Sequence, residues 1–188
     1  MRHPAVIACL LLAIASGCAS PPSRFYTLSA AAAPAATVST VSVAVGPVSL
    51  PAVVDRPQIV VSTGANEVRL DEFNRWASPL ADNIVRVLAD NLARELGTAR
   101  VWPYGQATRS SPDHQVLIDF QRLDSTLGEG VLIEALWTVR PAAGGAAKSG
   151  RSQVREPTAG AGFEALVAAH SRALARVSGD IAAAIRAP

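Results

Sequence analysis

Lysine, methionine and aromatic residues are scarce in this chain of 188 residues: Lys148 is its only lysine, Met1 its only methionine, and aromatics make up 5%. Basic charge is therefore almost wholly arginine, and 17 basic residues against 15 acidic ones leave a formal net charge of +2. Binding nucleic acid calls for Lys and Arg gathered on one face; here they are scattered, which argues against that role. With 49% apolar residues and a mean hydropathy of +0.25, the chain also lacks the polar, highly charged composition of disorder. Much of the apolar fraction is Ala, which adds helix propensity more than core volume. The core is expected to be built from Val, Leu and Ile.

Catalytic signatures are missing too. The histidines are His3, His114 and His170, and no Ser sits in a Gly-x-Ser-x-Gly elbow. No His or Cys pair has metal-ligand spacing, and no Gly-x-x-x-x-Gly-Lys loop offers a phosphate cradle. Asp119 and Asp124 lie five apart on one expected strand, so alternation sends them to opposite faces. His170 falls on an apolar helical stripe, as a packed core histidine would, and His114 follows Pro112-Asp113 as a turn residue. The expectation is a protein that is not an enzyme, with no metal and no cofactor.

The N-terminus carries the most specific signal. Met1-Arg2-His3 is a short positive region, Ala5 to Ile14 an apolar run too short to span a bilayer, and Ala15-Ser16-Gly17-Cys18 a small-residue cleavage site. A plain signal peptide would end on small residues without the Cys. The Cys makes the junction resemble the bacterial lipobox, in which the thiol receives a diacylglycerol and the freed N-terminus an acyl chain. Ala15 stands where that pattern has a larger aliphatic residue. Cys9 leaves with the leader, so Cys18 is alone in the mature chain and no disulfide can form. Ala19 is not Asp, which by the same resemblance implies sorting to the outer membrane, facing the periplasm. Residues 1–17 are expected as leader, 18–37 as lipidated Cys, tether, edge strand and Ala-rich spacer, and 38–188 as one domain.

Beyond the spacer, Val41, Val43 and Val45 alternate with polar or small residues until Gly46-Pro47 breaks the run. Gln58–Val61 and Glu67–Leu70 read as a hairpin around Gly64 and Asn66. Ser78-Pro79 is a helix start, Leu80, Ile84, Val87, Leu88, Leu92 and Leu96 a single stripe, and Gly97 a stop. Asp82, Arg86, Asp90 and Arg94 form the solvated face, with four-residue spacing suited to ion pairs. Strands are expected again at Arg100–Trp102, Gln115–Leu123, Val131–Arg140 and Arg151–Arg155. A second helix spans Phe163–Ile185, with a fray or kink at Gly179. Two one-sided helices need a sheet to cover. The fold class is α+β: a two-layer sandwich of a mixed, mostly antiparallel sheet with both helices on one face.

Particular blocks resemble a known family. Tyr26-Thr27-Leu28, Val45-Gly46-Pro47-Val48, Asp55-Arg56-Pro57-Gln58 and above all Asn74-Arg75-Trp76-Ala77-Ser78-Pro79-Leu80 are similar to the ABC-type transport auxiliary lipoproteins, most closely their PqiC (YmbA) branch. The resemblance implies a lipid-anchored periplasmic component of an envelope-spanning lipid transport system that supports membrane integrity. Its implied partners are an MCE-domain protein, an inner-membrane component and the outer membrane, with a homo-oligomer as a further option. Asn74, Arg75 and Trp76, expected in the loop before the first helix, are candidate partner-binding residues, although Trp76 reads first as a hydrophobic staple packing back on the helix. A lipid-carrying binding module with its own apolar pocket is the competing reading.

Overall fold

The computed structural model describes residues 21–106 and 111–187; Cys18 and the leader lie outside them. Strands β1 (Arg24–Tyr26), β2 (Val43–Ser49), β3 (Gln58–Gly64) and β4 (Glu67–Trp76) precede helix α1 (Leu80–Leu96). Then come β5 (Val101–Pro103), β6 (His114–Thr126), β7 (Gly130–Pro141), β8 (Lys148–Pro157) and α2 (Phe163–Arg186). The protein is α+β, with two helices packed against mixed, mostly antiparallel strands. These strands divide into two sheets rather than the expected one, ordered β1-β4-β3 and β5-β2-β6-β7-β8. The long ladders β3/β4, β6/β7 and β7/β8 are antiparallel, while the short pairings β1/β4, β2/β5 and β2/β6 are parallel.

Alternation places the core. Val116, Ile118 and Phe120 of β6 and Val131, Ile133, Ala135 and Val139 of β7 are all buried on one face, toward the helices. In β6 the pairing register shifts between Phe120 and Arg122, so Gln121 and Arg122 are both exposed and Leu123 returns to the core. This bulge corrects the simple two-residue period: Asp119 and Asp124 share the outer face. A register shift also carries β2 through Gly46-Pro47, so the strand continues to Ser49 where a break was expected. Gly150 of β8 lies against the ring of Trp137, where a Cβ would overlap the indole.

The α1 stripe is buried as the sequence implies, from Leu80 through Leu96, and Asp82, Arg86, Asp90 and Arg94 are exposed. Arg86 does not turn to a neighbouring carboxylate; its guanidinium donates to Asn83 Oδ1 at 2.6 Å and Thr27 Oγ1 at 3.2 Å. The helix starts at Leu80 with Pro79 as its cap residue and no side-chain cap bond, so Ser78 does not cap it. Gly97, at φ 63°, closes it in the left-handed conformation that favours glycine. Helix α2 runs unbroken through Gly179. That residue faces α1, its missing side chain leaving room for Glu95, and close helix packing offsets the propensity cost that suggested a kink.

The Ala-rich segment from Ser29 to Thr37 has no regular structure, yet it is not slack. The buried Asn91 of α1 accepts the N–H groups of Ala31 at 2.9 Å and Ala32 at 3.0 Å through one side-chain oxygen. Ala35 N–H donates to Arg94 O at 2.8 Å and Ser29 N–H to Ser171 Oγ at 3.2 Å. The segment is thereby lashed along both helices. Asn91→Ala strands two backbone donors, one of them on buried Ala32, and should cost about 1–3 kcal/mol in urea unfolding. Hydrogen exchange at Ala31 and Ala32 should accelerate in the variant; unchanged exchange there would show that the segment is held by other contacts.

Candidate functional site

The Asn74–Ala77 block is the seam where β1, β4 and the loop through Pro57 join. Asp71 Oδ1 accepts three bonds, from Phe73 N–H at 3.1 Å, Asn74 N–H at 2.9 Å and Asn74 Nδ2 at 2.8 Å. Such a carboxylate turn displaces the ladder: Gln58 pairs with Arg75, whereas the next residue, Ile59, pairs with Asp71. Burial pushes the Asp71 carboxyl up, but these hydrogen bonds, aided by Arg69, outweigh it and hold the group below its ordinary value. Asn74 Oδ1 accepts the Tyr26 hydroxyl at 2.8 Å. Trp76 N–H donates to Pro57 O at 2.7 Å and Ala77 N–H to Tyr26 O at 2.8 Å.

Arg75 and Trp76 therefore end a strand, not a loop. Trp76 is only 5% exposed and meets the His170 ring edge to face, centroids 6.0 Å apart. His170, as buried as expected, has its Nε2 2.8 Å from Ser125 Oγ. Burial lowers its pKa to about 4, so the ring is neutral at ordinary pH. Arg75 and Asn74 are half-buried, Asn74 lining a surface cavity and Arg75 on the other face of the strand. Arg75 Nε donates to Glu72 O at 2.8 Å and its terminal nitrogen lies 3.2 Å from the Glu72 carboxylate. Beyond the seam, Asp55, Arg56, Pro57 and residues Trp76 through Leu80 line an open cavity of about 370 Å³.

The other candidates lie apart from this seam. His114 opens β6, half-buried, and the neighbouring Asp113 carboxylate is engaged by the Ser42 hydroxyl and N–H, both at 2.7 Å. Those Ser42 bonds hold Asp113 below the usual carboxylate range. Among the described residues no group of three or more His, Cys, Asp and Glu is arranged to hold a metal ion. Sequence reasoning overlooked Ser125 and Asp71. The signals were a polar residue at an inward position, two after Leu123, and an Asp three before Asn74.

The seam lies at the foot of the first helix of a small α+β domain. A family model for the ABC-type transport auxiliary lipoprotein component matches residues 26–182, and the chain belongs to that family. The description is of a transport component. Among solved structures, that of an uncharacterized protein is similar with a TM-score of 0.71 at 20% identity, covering 88% of this chain and 99% of the other. Protein XCC0632 from Xanthomonas campestris is similar with a TM-score of 0.67 at 19% identity, covering 84% and 92%. At such identities the likeness shows the fold. No curated protein matches the chain. No described helix is long and apolar enough to cross a membrane.

His170 makes stability depend on pH. Its folded pKa of about 4 lies below the 6.5 of an unperturbed ring, so as pH falls the unfolded chain takes up the proton first. Stability from this group is complete above about pH 6.5 and declines toward about pH 4, by about 3 kcal/mol in all at about 1.4 kcal/mol per unit. Urea unfolding across that window measures the decline. His170→Gln should flatten it; an equal slope in the variant would assign the acid sensitivity to other groups.

Proposed function

We propose that this protein is a PqiC-like auxiliary lipoprotein of an MCE-type lipid transport system. It is held under the outer membrane by acyl chains on Cys18 and docks the end of the transport conduit there. The observation that carries the reading is the family match over residues 26–182, with the Ala15–Cys18 lipobox pattern a few residues ahead of it. The block from Asn74 to Leu80 supports the PqiC assignment, and Ala19 supports the outer membrane. Residues 1–17 act as leader, 18–37 as anchored approach and 38–188 as the docking domain.

The docking surface is centred on Arg75 and the cavity beside Trp76. Asn74 and Trp76 contribute by shape, since Asn74 is bonded to Tyr26 and Trp76 is buried under the cavity wall. A lipid carrier would instead need apolar space between helices and sheet. That interface is filled by Ile84, Leu88, Leu92, Leu166, Leu174 and Ile181, all 0–1% exposed, which favours docking over carriage.

Capture with a tagged MCE-domain protein from the same genome tests the proposal. The lipidated protein should be retained, and Arg75→Glu should weaken retention by about tenfold, an interface loss of about 1.4 kcal/mol. Because the change also removes the bonds to Glu72, urea unfolding should show a loss of about 1 kcal/mol with the domain still folded, and Arg75→Gln, which creates no second carboxylate beside Glu72, should weaken retention as well. No retention above that of an acylated peptide lacking the domain would sink the docking role. Separately, Cys18→Ser should leave the domain folded but release it from membranes; a variant that stays membrane-bound would place the anchor elsewhere.

A further inference from the structure

The chain enters the domain at one corner. Pro21 and Pro22 line a surface cavity of about 500 Å³ together with Arg24, Tyr26, Phe73 and Phe163, between β1, the irregular end of β4 and the start of α2. Two successive prolines hold this run extended and stiff. Between Cys18 and Pro21 only three peptide links remain, at most about 11 Å of chain. An acyl anchor on Cys18 therefore meets the bilayer within that distance of the cavity.

Apolar side chains are exposed beside this cavity, Phe73 on the cavity wall and Phe25 on the other face of β1 from Arg24 and Tyr26. Phe25 is 65% exposed and Phe73 38%, and farther along β4 Val68 and Leu70 are 48% and 36% exposed on one face of the strand. Large exposed apolar side chains gathered along one strand pair mark a contact site. Charge does not oppose a phospholipid there. Arg69 and Arg75 are neutralised by Asp71 and Glu72 at 3.8 and 3.2 Å. Arg24 has no ion pair among the described residues, and the cavity wall carries Asp71 and Glu164 as well. Strand β1 pairs only with Asn74 to Trp76, so the flank of β4 before them has no neighbouring strand among the described residues. Unpaired backbone is not tolerated in hydrocarbon but is satisfied among headgroups and water, which sets the depth of contact.

We propose that this corner, Phe25 and Phe73 foremost, rests in the headgroup region of the membrane that holds the anchor and fixes the domain's orientation. The occupant is a phospholipid surface because the anchor leaves the bilayer within reach of these side chains. The inference rests on acylation at Cys18. The corner orients the domain and is too small to hold it there alone. Arg75, opposite Phe25 in the β1/β4 register, then lies where a conduit meets the membrane.

The test uses the mature lipidated protein, which after acylation and loss of Cys9 offers no free thiol. Phe73→Cys and, as reference, Leu136→Cys on the exposed face of the five-stranded sheet are each labelled with an environment-sensitive fluorophore. Both are reconstituted in vesicles of phosphatidylethanolamine and phosphatidylglycerol, with and without brominated acyl chains. Emission from position 73 should shift to the blue and be quenched by the brominated lipid, and emission from position 136 should show neither effect. Equal behaviour at the two positions overturns the proposal. So does a blue shift at 73 that resists brominated lipid and grows with protein density, because another protein then covers the corner. Protein that fails to float with vesicles and carries no acyl mass at Cys18 overturns the anchor reading as well, an outcome distinct from either fluorescence result.

Discussion

Three parts of this molecule meet at one buried contact. Trp76 ends the three-stranded sheet, His170 belongs to α2 and Ser125 lies on β6 of the five-stranded sheet, and the imidazole touches both. Its Nε2 shares a hydrogen bond with a hydroxyl while its ring meets the indole edge to face, so the polar atom is satisfied without water. With so few aromatics, the chain has little other bulk with which to join two sheets. The arrangement requires a neutral ring, and burial supplies that condition by disfavouring the cation. Alongside the apolar core that Ile59 and Val61 share with Ile118 and Phe120, part of the packing of one sheet against the other thus rests on a group whose charge would disrupt it.

What the sequence made legible was periodic. The α1 stripe from Leu80 to Leu96, the inward residues of β6 and β7 and the Gly97 stop follow from spacing alone, because burial of one face imposes a regular pattern. The exceptions are places where a side chain bonds to distant or irregular backbone. Asn91 looked like one more polar residue on a helix, yet its carboxamide oxygen fixes a segment sixty residues away. Asp71 distorts β4 and so turns an expected loop at Arg75-Trp76 into a strand end. The β6 bulge places Asp119 and Asp124 together on the outer face, which a two-residue period cannot anticipate. Division into two sheets was hidden for a related reason: hydrophobic alternation tells which face is buried, not which strand lies alongside.

For the candidate site the same distinction holds. The block Asn74-Arg75-Trp76-Ala77 was visible as a motif, and its resemblance led to the right family. Its internal division of labour was not visible. Asn74 bonds to Tyr26, Trp76 packs on His170, and Arg75 turns outward to Glu72. The block builds the seam. An outward-facing surface then comes with a fixed geometry, since Arg75 is clamped to Glu72 through both its backbone carbonyl and its carboxylate.

Arginine usage bears on what this surface can recognise. Arg122 and Arg151 converge on Glu134, Arg172 and Arg176 on Glu156, and Arg186 on Glu95. Each exposed pair adds little to stability, typically about 0–1 kcal/mol. These pairs cancel part of the positive charge where it stands, while Arg24, Arg56, Arg86, Arg94, Arg100, Arg140 and Arg155 form no ion pair among the described residues; the near balance of 17 basic and 15 acidic residues keeps the net field small. Long-range electrostatic steering is weak for such a surface, and a partner has to be found by another route. Confinement to a membrane provides one, because an anchored domain with a fixed approach searches two dimensions in one orientation. The lashed Ala-rich segment and the stiff prolines ahead of β1 are consistent with that logic: slack near the anchor would let the domain tumble and forfeit the gain.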